Sequence, residues 1–73
     1  MMTYNESRIN AMYKLGPEKW AEENIRSVEQ AKSLRERCQN GLQSPFTKWD
    51  SEAIYSFTIE ACDRYIARHS YPA

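Results

Sequence analysis

The sequence predicts an all-α domain with three helices, a short N-terminal helix followed by a long antiparallel helical hairpin, completed as a dimeric helical bundle. Three observations carry this reading. Residues 47–69 hold an apolar pattern at helical spacing with no proline or glycine inside it. Two glycine-centred breaks, Gly16-Pro17 and Asn40-Gly41, divide the chain. Capping patterns stand at Thr3 to Glu6 and at Thr47 to Asp50. The 73 residues make a single domain, and a chain this short buries only about 60% of the surface its unfolded form exposes. Small scaffolds compensate with disulfides, a metal, tight helix packing or association with another chain.

The first helix is expected over residues 4–15. Thr3-Tyr4-Asn5-Glu6 fits the capping box, in which the Thr3 hydroxyl accepts from the Glu6 N–H. Ile9, Met12 and Tyr13 then give one narrow apolar stripe at i, i+3, i+4. Gly16 suits the position after a helix and Pro17 the first turn of the next, so the connection is very short. The second helix is expected over 17–40. Glu18, Glu22 and Glu23 stand near its positive end, and Arg35 and Arg37 near its negative end. Trp20, Ala21, Ile25, Val28, Ala31, Leu34 and Cys38 form its apolar side. Asn40 and Gly41 are expected to close it, with a turn through Ser44-Pro45.

The third helix is expected over 47–69, started by Thr47-Lys48-Trp49-Asp50, with Pro45 as a competing first residue. At roughly 100° per residue, Ile54, Phe57, Ala61 and Tyr65 stack on one side, and Tyr55, Ile59, Cys62 and Ile66 form a stripe beside it. Together they span an apolar arc of roughly 200°, which more than one neighbour must cover. A short turn between two long helices makes them antiparallel neighbours. In that arrangement the Ile54, Phe57, Ala61 and Tyr65 side is intramolecular core. The stripe of Tyr55, Ile59 and Ile66 is left for a second copy, most simply as a two-fold dimer. Residues 70–73 are expected to fray, with Tyr71-Pro72 able to pack back onto the bundle.

Leu, Ile, Val and Phe number eleven, about 15% of the chain, which is low for a folded domain. Two Trp, five Tyr and three Met add bulky apolar surface, so the core is expected to be weighted towards aromatics. Ten basic and ten acidic residues cancel, which removes the usual footprint of a nucleic-acid or membrane-surface binder. No apolar run reaches the roughly 18 residues of a membrane span, and the N-terminal stretch lacks a signal-peptide pattern. A cytoplasmic protein is the expectation. Cys38 and Cys62 form no CxxC and fit reduced, buried thiols.

The residues that carry chemistry are sparse. No nucleophile elbow, phosphate-binding glycine loop, HExxH or paired CxxC is present. His69 follows Cys62 by seven residues, and Cys38 belongs to the second helix, but structural zinc almost always takes four ligands. Neither a metal nor another cofactor is expected. The carboxylates fall on solvated helix faces, with Glu60 and Arg64 forming an i, i+4 support pair. A domain of this size has little room for the pocket a general acid or base needs. The expectation is a non-enzymatic regulator or adaptor that works through helix-mediated contact with a protein partner. Trp20, Phe46 and Trp49, near helix starts, either pack in the core or stand out as anchors, since aromatics are enriched at binding hot spots. The candidate self-association or partner surface is therefore Tyr55, Ile59, Ile66, Trp20 and Trp49. The alternative is a nucleic-acid-binding accessory protein using Arg26, Lys32, Arg35 and Arg37, although Glu29 and Glu36 interleave with that cluster.

The stretches TYNESRINAMYKLG and LRERCQNGLQSPFTKWDSEAIYSF resemble the short helical proteins encoded in the early region of lambdoid bacteriophages. The resemblance spans most of the chain and carries over no functional residue. It implies an accessory protein of the infected bacterial cytoplasm that modulates host or phage development through a protein partner.

Overall fold

A computed structural model of the chain describes residues 3–70, all helix and short connections. There are four helices: α1 (Tyr4–Leu15), α2 (Pro17–Asn24), α3 (Val28–Gln43) and α4 (Trp49–His69). Of the segment 70–73 expected to fray, residues 71–73 lie outside the described residues. Ser70 ends α4 by donating its N–H to the Ile66 carbonyl at 2.9 Å.

The first helix has the expected bounds and start. The Thr3 hydroxyl accepts from the Glu6 N–H at 3.1 Å, and Gly16, at φ 90°, allows α2 to begin at Pro17 without a spacer. The positive φ is a conformation in which a Cβ would be strained.

The expected second helix is two helices. Ile25 leaves α2 in extended conformation, and Ser27 caps α3 by accepting from the Gln30 N–H at 3.1 Å. The Gln30 side chain reaches back and accepts from the Arg26 N–H at 2.8 Å. Ser27-Val28-Glu29-Gln30 is therefore a capping-box pattern in its own right, inside a stretch whose apolar spacing runs through it. Burial of Ile25, 3% exposed, anchors the corner. Capping interactions of this kind contribute about 1 kcal/mol. Ser27→Ala is expected to lower stability by that amount, read as a shift of the urea midpoint followed by circular dichroism.

Two other boundaries move for identifiable reasons. Gly41, expected as a helix terminator, lies inside α3, where a Cβ would fall 2.5 Å from the Tyr55 ring. Its role is to let that ring lie against the α3 backbone. Thr47 does not cap α4; its hydroxyl donates to the Gly41 carbonyl, which ties the α3–α4 turn together and leaves Lys48 as the N-cap.

Chain direction follows from which residues meet. Arg35 pairs with Asp63, and Gly41 meets Tyr55, so α3 and α4 are antiparallel, as expected of the hairpin. On the other flank, Asn5 meets Asp50, Tyr13 meets Phe57, and Glu18 and Glu22 meet Arg64 and Arg68. Residue numbers rise together there, so α1 and α2 run parallel to α4 as one interrupted rod. The corner at residues 25–27 reverses the chain, and only α3 forms the antiparallel arm. At 100° per residue, the two flanks of α4 are separated by roughly 140°. The result is a flat arrangement with principal extents of 47 × 27 × 13 Å, three helices wide with α4 in the middle.

Two core clusters fill the seams. Met12, Ile54 and Phe57 join α1 to α4, with Ile9 and Trp20 packed against them. Ala21, Ile25, Ala31, Ala61 and Cys62 join α2, the corner and α3 to α4, with Trp20, Leu34, Tyr65 and Ile66 around them. Trp20 thus links both clusters. Thr58, 4% exposed, satisfies its hydroxyl by donating to the Ile54 carbonyl at 2.7 Å, the intrahelical bond that lets a threonine enter a core.

Candidate interaction surfaces

The packing sorts the aromatic side chains into two groups. Phe57, 4% exposed, makes T-shaped contacts with the rings of Tyr13 and Trp20 at centroid distances of 5.3 and 5.9 Å. Trp20 is therefore half-buried against the core rather than projecting as an anchor. Phe46, in the turn before α4, is 89% exposed, Tyr4 80%, Trp49 67% and Tyr13 59%. The Asn5–Asp50 bond of 3.0 Å joins the starts of α1 and α4. It places Tyr4, Phe46 and Trp49 at the same end of the molecule.

Beside Trp49 lies a cleft of about 290 Å³ lined by Glu6, Ile9, Asn10 and Trp49. Glu6, Asn10 and Tyr13 follow one another at helical spacing along this side of α1. Asp50 sits at the head of the same seam. The Asn5 amide donating to its carboxylate holds the acid below the usual carboxylate range. Position on α4 and this hydrogen bond together fix where the seam begins.

A second groove, of about 550 Å³, lies between α2 and the C-terminal half of α4. Its walls carry a ladder of ion pairs: Arg64 bonds Glu18 at 3.2 Å and Glu60 at 3.0 Å, and Arg68 pairs with Glu22. The Glu60–Arg64 pair is the support pair expected from sequence. The Glu60 carboxylate, ahead of Glu18, favours the charged form of Arg64. Glu22 pairs across to α4 because α2 ends at Asn24, before Arg26 can complete an i, i+4 pair. These pairs are exposed to solvent, which screens them, so they add little to stability. His69 stacks on Tyr65 at 4.1 Å, in the last turn, where the helix dipole favours a cationic side chain.

Tyr55, Ile59 and Ile66 are half-buried and lie on the flank of α4 that faces α3. Tyr55 rests over Gly41, and Ile66 packs against the second core cluster. The basic candidates separate. Arg26, Lys32 and Arg37 are exposed. Arg35 is drawn onto Asp63, its Nε close to the carboxylate without the alignment of a hydrogen bond.

Cys38 and Cys62 are free and buried. Burial pushes both thiols up, Cys62 to about 11, and each lies within electrostatic reach of other polar groups, Cys38 of Arg37, Thr58 and Arg8. Among the described residues, no three His, Cys, Asp or Glu side chains come together as a metal site. A thiol whose folded value is raised favours folding below its unfolded value, and that contribution is lost as pH rises through the folded one. Stability is therefore expected to fall as pH rises from about 9 towards about 11 on account of Cys62. Urea unfolding across that range checks this, with Cys62→Ala expected to flatten the decline.

Phe46, expected either to pack in the core or to stand out as an anchor, is exposed, and Tyr4, outside the candidate surface, is exposed with it. An aromatic in a capped helix start reads as core until its register against the neighbouring helix is known. The available signal was Phe46 itself, which stands between Pro45 and Thr47 in a stretch with no apolar periodicity. Among the described residues, no helix is long and apolar enough to cross a membrane. No family model matches the chain, and no curated protein or solved structure is similar to it.

Proposed function

We propose that this chain is a small non-enzymatic regulator or adaptor that forms a homodimer and engages a protein partner through exposed aromatic side chains. The observation that carries the reading is the placement of Tyr4, Phe46 and Trp49, each at least 67% exposed, at one end of the fold. Aromatics in such positions serve as anchors at interfaces, where a few of them supply most of the binding energy. An adaptor of infected bacterial cytoplasm, as the phage resemblance implies, fits this chemistry. Phe46 and Tyr4 are the anchors assigned to the partner.

The test compares the native chain with a Tyr4→Ser, Phe46→Ser variant as bait in bacterial lysate. Both positions are exposed, so the variant is expected to fold. A partner held by the native chain and lost by the variant, then reproduced with the purified pair, supports the assignment. Equal recovery by both baits overturns it.

Nucleic-acid binding is the second reading, favoured by the exposure of Arg26 in the corner before α3 and of Lys32 and Arg37 on α3. Phosphate contacts would make retention on DNA fall steeply with salt. Failure to bind DNA at low salt overturns this reading.

A further inference from the structure

We propose that two copies of this chain pack face to face along the α1–α4 seam, each Trp49 ring entering the cleft of about 290 Å³ beside Glu6, Ile9 and Asn10 on the other copy. The proposal rests on the homodimer reading above and assigns its surface. Trp49 is 67% exposed and borders the cleft on its own chain, so the projecting group and the receiving surface belong to one patch. Such a patch is self-complementary, which is the condition for a closed two-fold interface.

The shape of the chain argues for a second copy as the occupant. Helical domains cover their apolar stripes by packing one layer on another, whereas these helices lie side by side with a shortest extent of 13 Å. The chain exposes 5441 Å². A compact monomer of 8.6 kDa exposes about 4,700 Å². The chain thus exposes more surface than a compact monomer of its size, as a flat fold does. Ten basic and ten acidic residues leave no net charge to oppose self-association.

Other surfaces fit a second copy less well. The larger groove is flanked by the Glu18–Arg64 and Glu22–Arg68 pairs, which a partner would have to desolvate. Tyr55 and Ile66 already pack within the chain.

The experiment measures the mass of the full chain by sedimentation equilibrium from about 1 to about 100 µM, a range that brackets micromolar association. The native chain is expected to move towards twice 8.6 kDa. Trp49→Ala, checked for retained helicity, is expected to weaken the dimer by about 30-fold or more, as loss of a central Trp anchor does. Tyr55→Ser is expected to keep the dimer. Oxidative footprinting of the native chain supplies a readout without substitution: Trp49 becomes protected as concentration rises. A native chain that stays monomeric overturns both the dimer and this surface. A native dimer whose Trp49 stays unprotected, or whose constant is unchanged by Trp49→Ala, overturns the surface alone.

Discussion

Phe57→Ala is expected to remove about 3–5 kcal/mol of stability. Phe57 is 4% exposed and belongs to the cluster joining α1 to α4, with the rings of Tyr13 and Trp20 both in T-shaped contact with its ring. Removing it leaves a void between two helices and strips both rings of their contact. At roughly 0.05–0.15 kcal/mol per residue, the whole domain has about 4–11 kcal/mol to lose. The variant is therefore expected to be partly unfolded at room temperature. Urea denaturation followed by far-UV circular dichroism measures the loss, with Tyr13→Ala as the comparison. Because Tyr13 is 59% exposed, its removal is expected to cost only about 1 kcal/mol, near the value of an aromatic pair. A Phe57→Ala loss no larger than that of Tyr13→Ala would mean the seam is not closed as described.

The second large effect comes from adding volume. Ala61 is 0% exposed on α4 and shares a cluster with Ala31 of α3, also 0%, and Ala21 of α2, 1%. Three alanines at the crossing let the helices approach closely, since interaxial distance is set by the side chains in contact. Ala61→Leu inserts a branched chain where no free surface remains. It is expected to cost about 3 kcal/mol, the upper end of the usual overpacking penalty. Ala67→Leu, at an exposed position of the same helix, is expected to change stability by no more than about 0.5 kcal/mol. Equal effects at the two positions would rule out the close crossing. Neither comparison depends on a partner, provided both are made at one low protein concentration.

The two substitutions probe different parts of the reasoning from sequence. Phe57 and Ala61 belong to the stripe expected as core, and both are buried because a 3.6-residue period survives any choice of neighbour. Thr58 was not in that stripe. Its burial depends on an intrahelical hydrogen bond to Ile54, which hydrophobic periodicity does not register. For the candidate surface, Trp49 is exposed and Trp20 is half-buried against the core, though both stand near a helix start. The difference lies in register. Trp20 sits where α2 crosses Phe57, whereas Trp49 begins α4 on the side facing the cleft. Tyr55, Ile59 and Ile66 face α3 because the corner at residues 25–27 frees α3 to cover that flank.

Local chemistry alone determined that this chain is helical, where α1 begins and ends, and which side of α4 is apolar. These follow from caps, a glycine-proline junction and repeat spacing, all of which act over a few residues. Tertiary structure decided the break between α2 and α3, the parallel course of the α1–α2 rod, the interior role of Gly41, and the division of aromatics between core and surface. Each of these turns on a contact between residues far apart in the chain. The Ser27 cap competes with a continuous helix at nearly equal local cost. Burial of Ile25 between α2, α3 and α4 is what settles that competition.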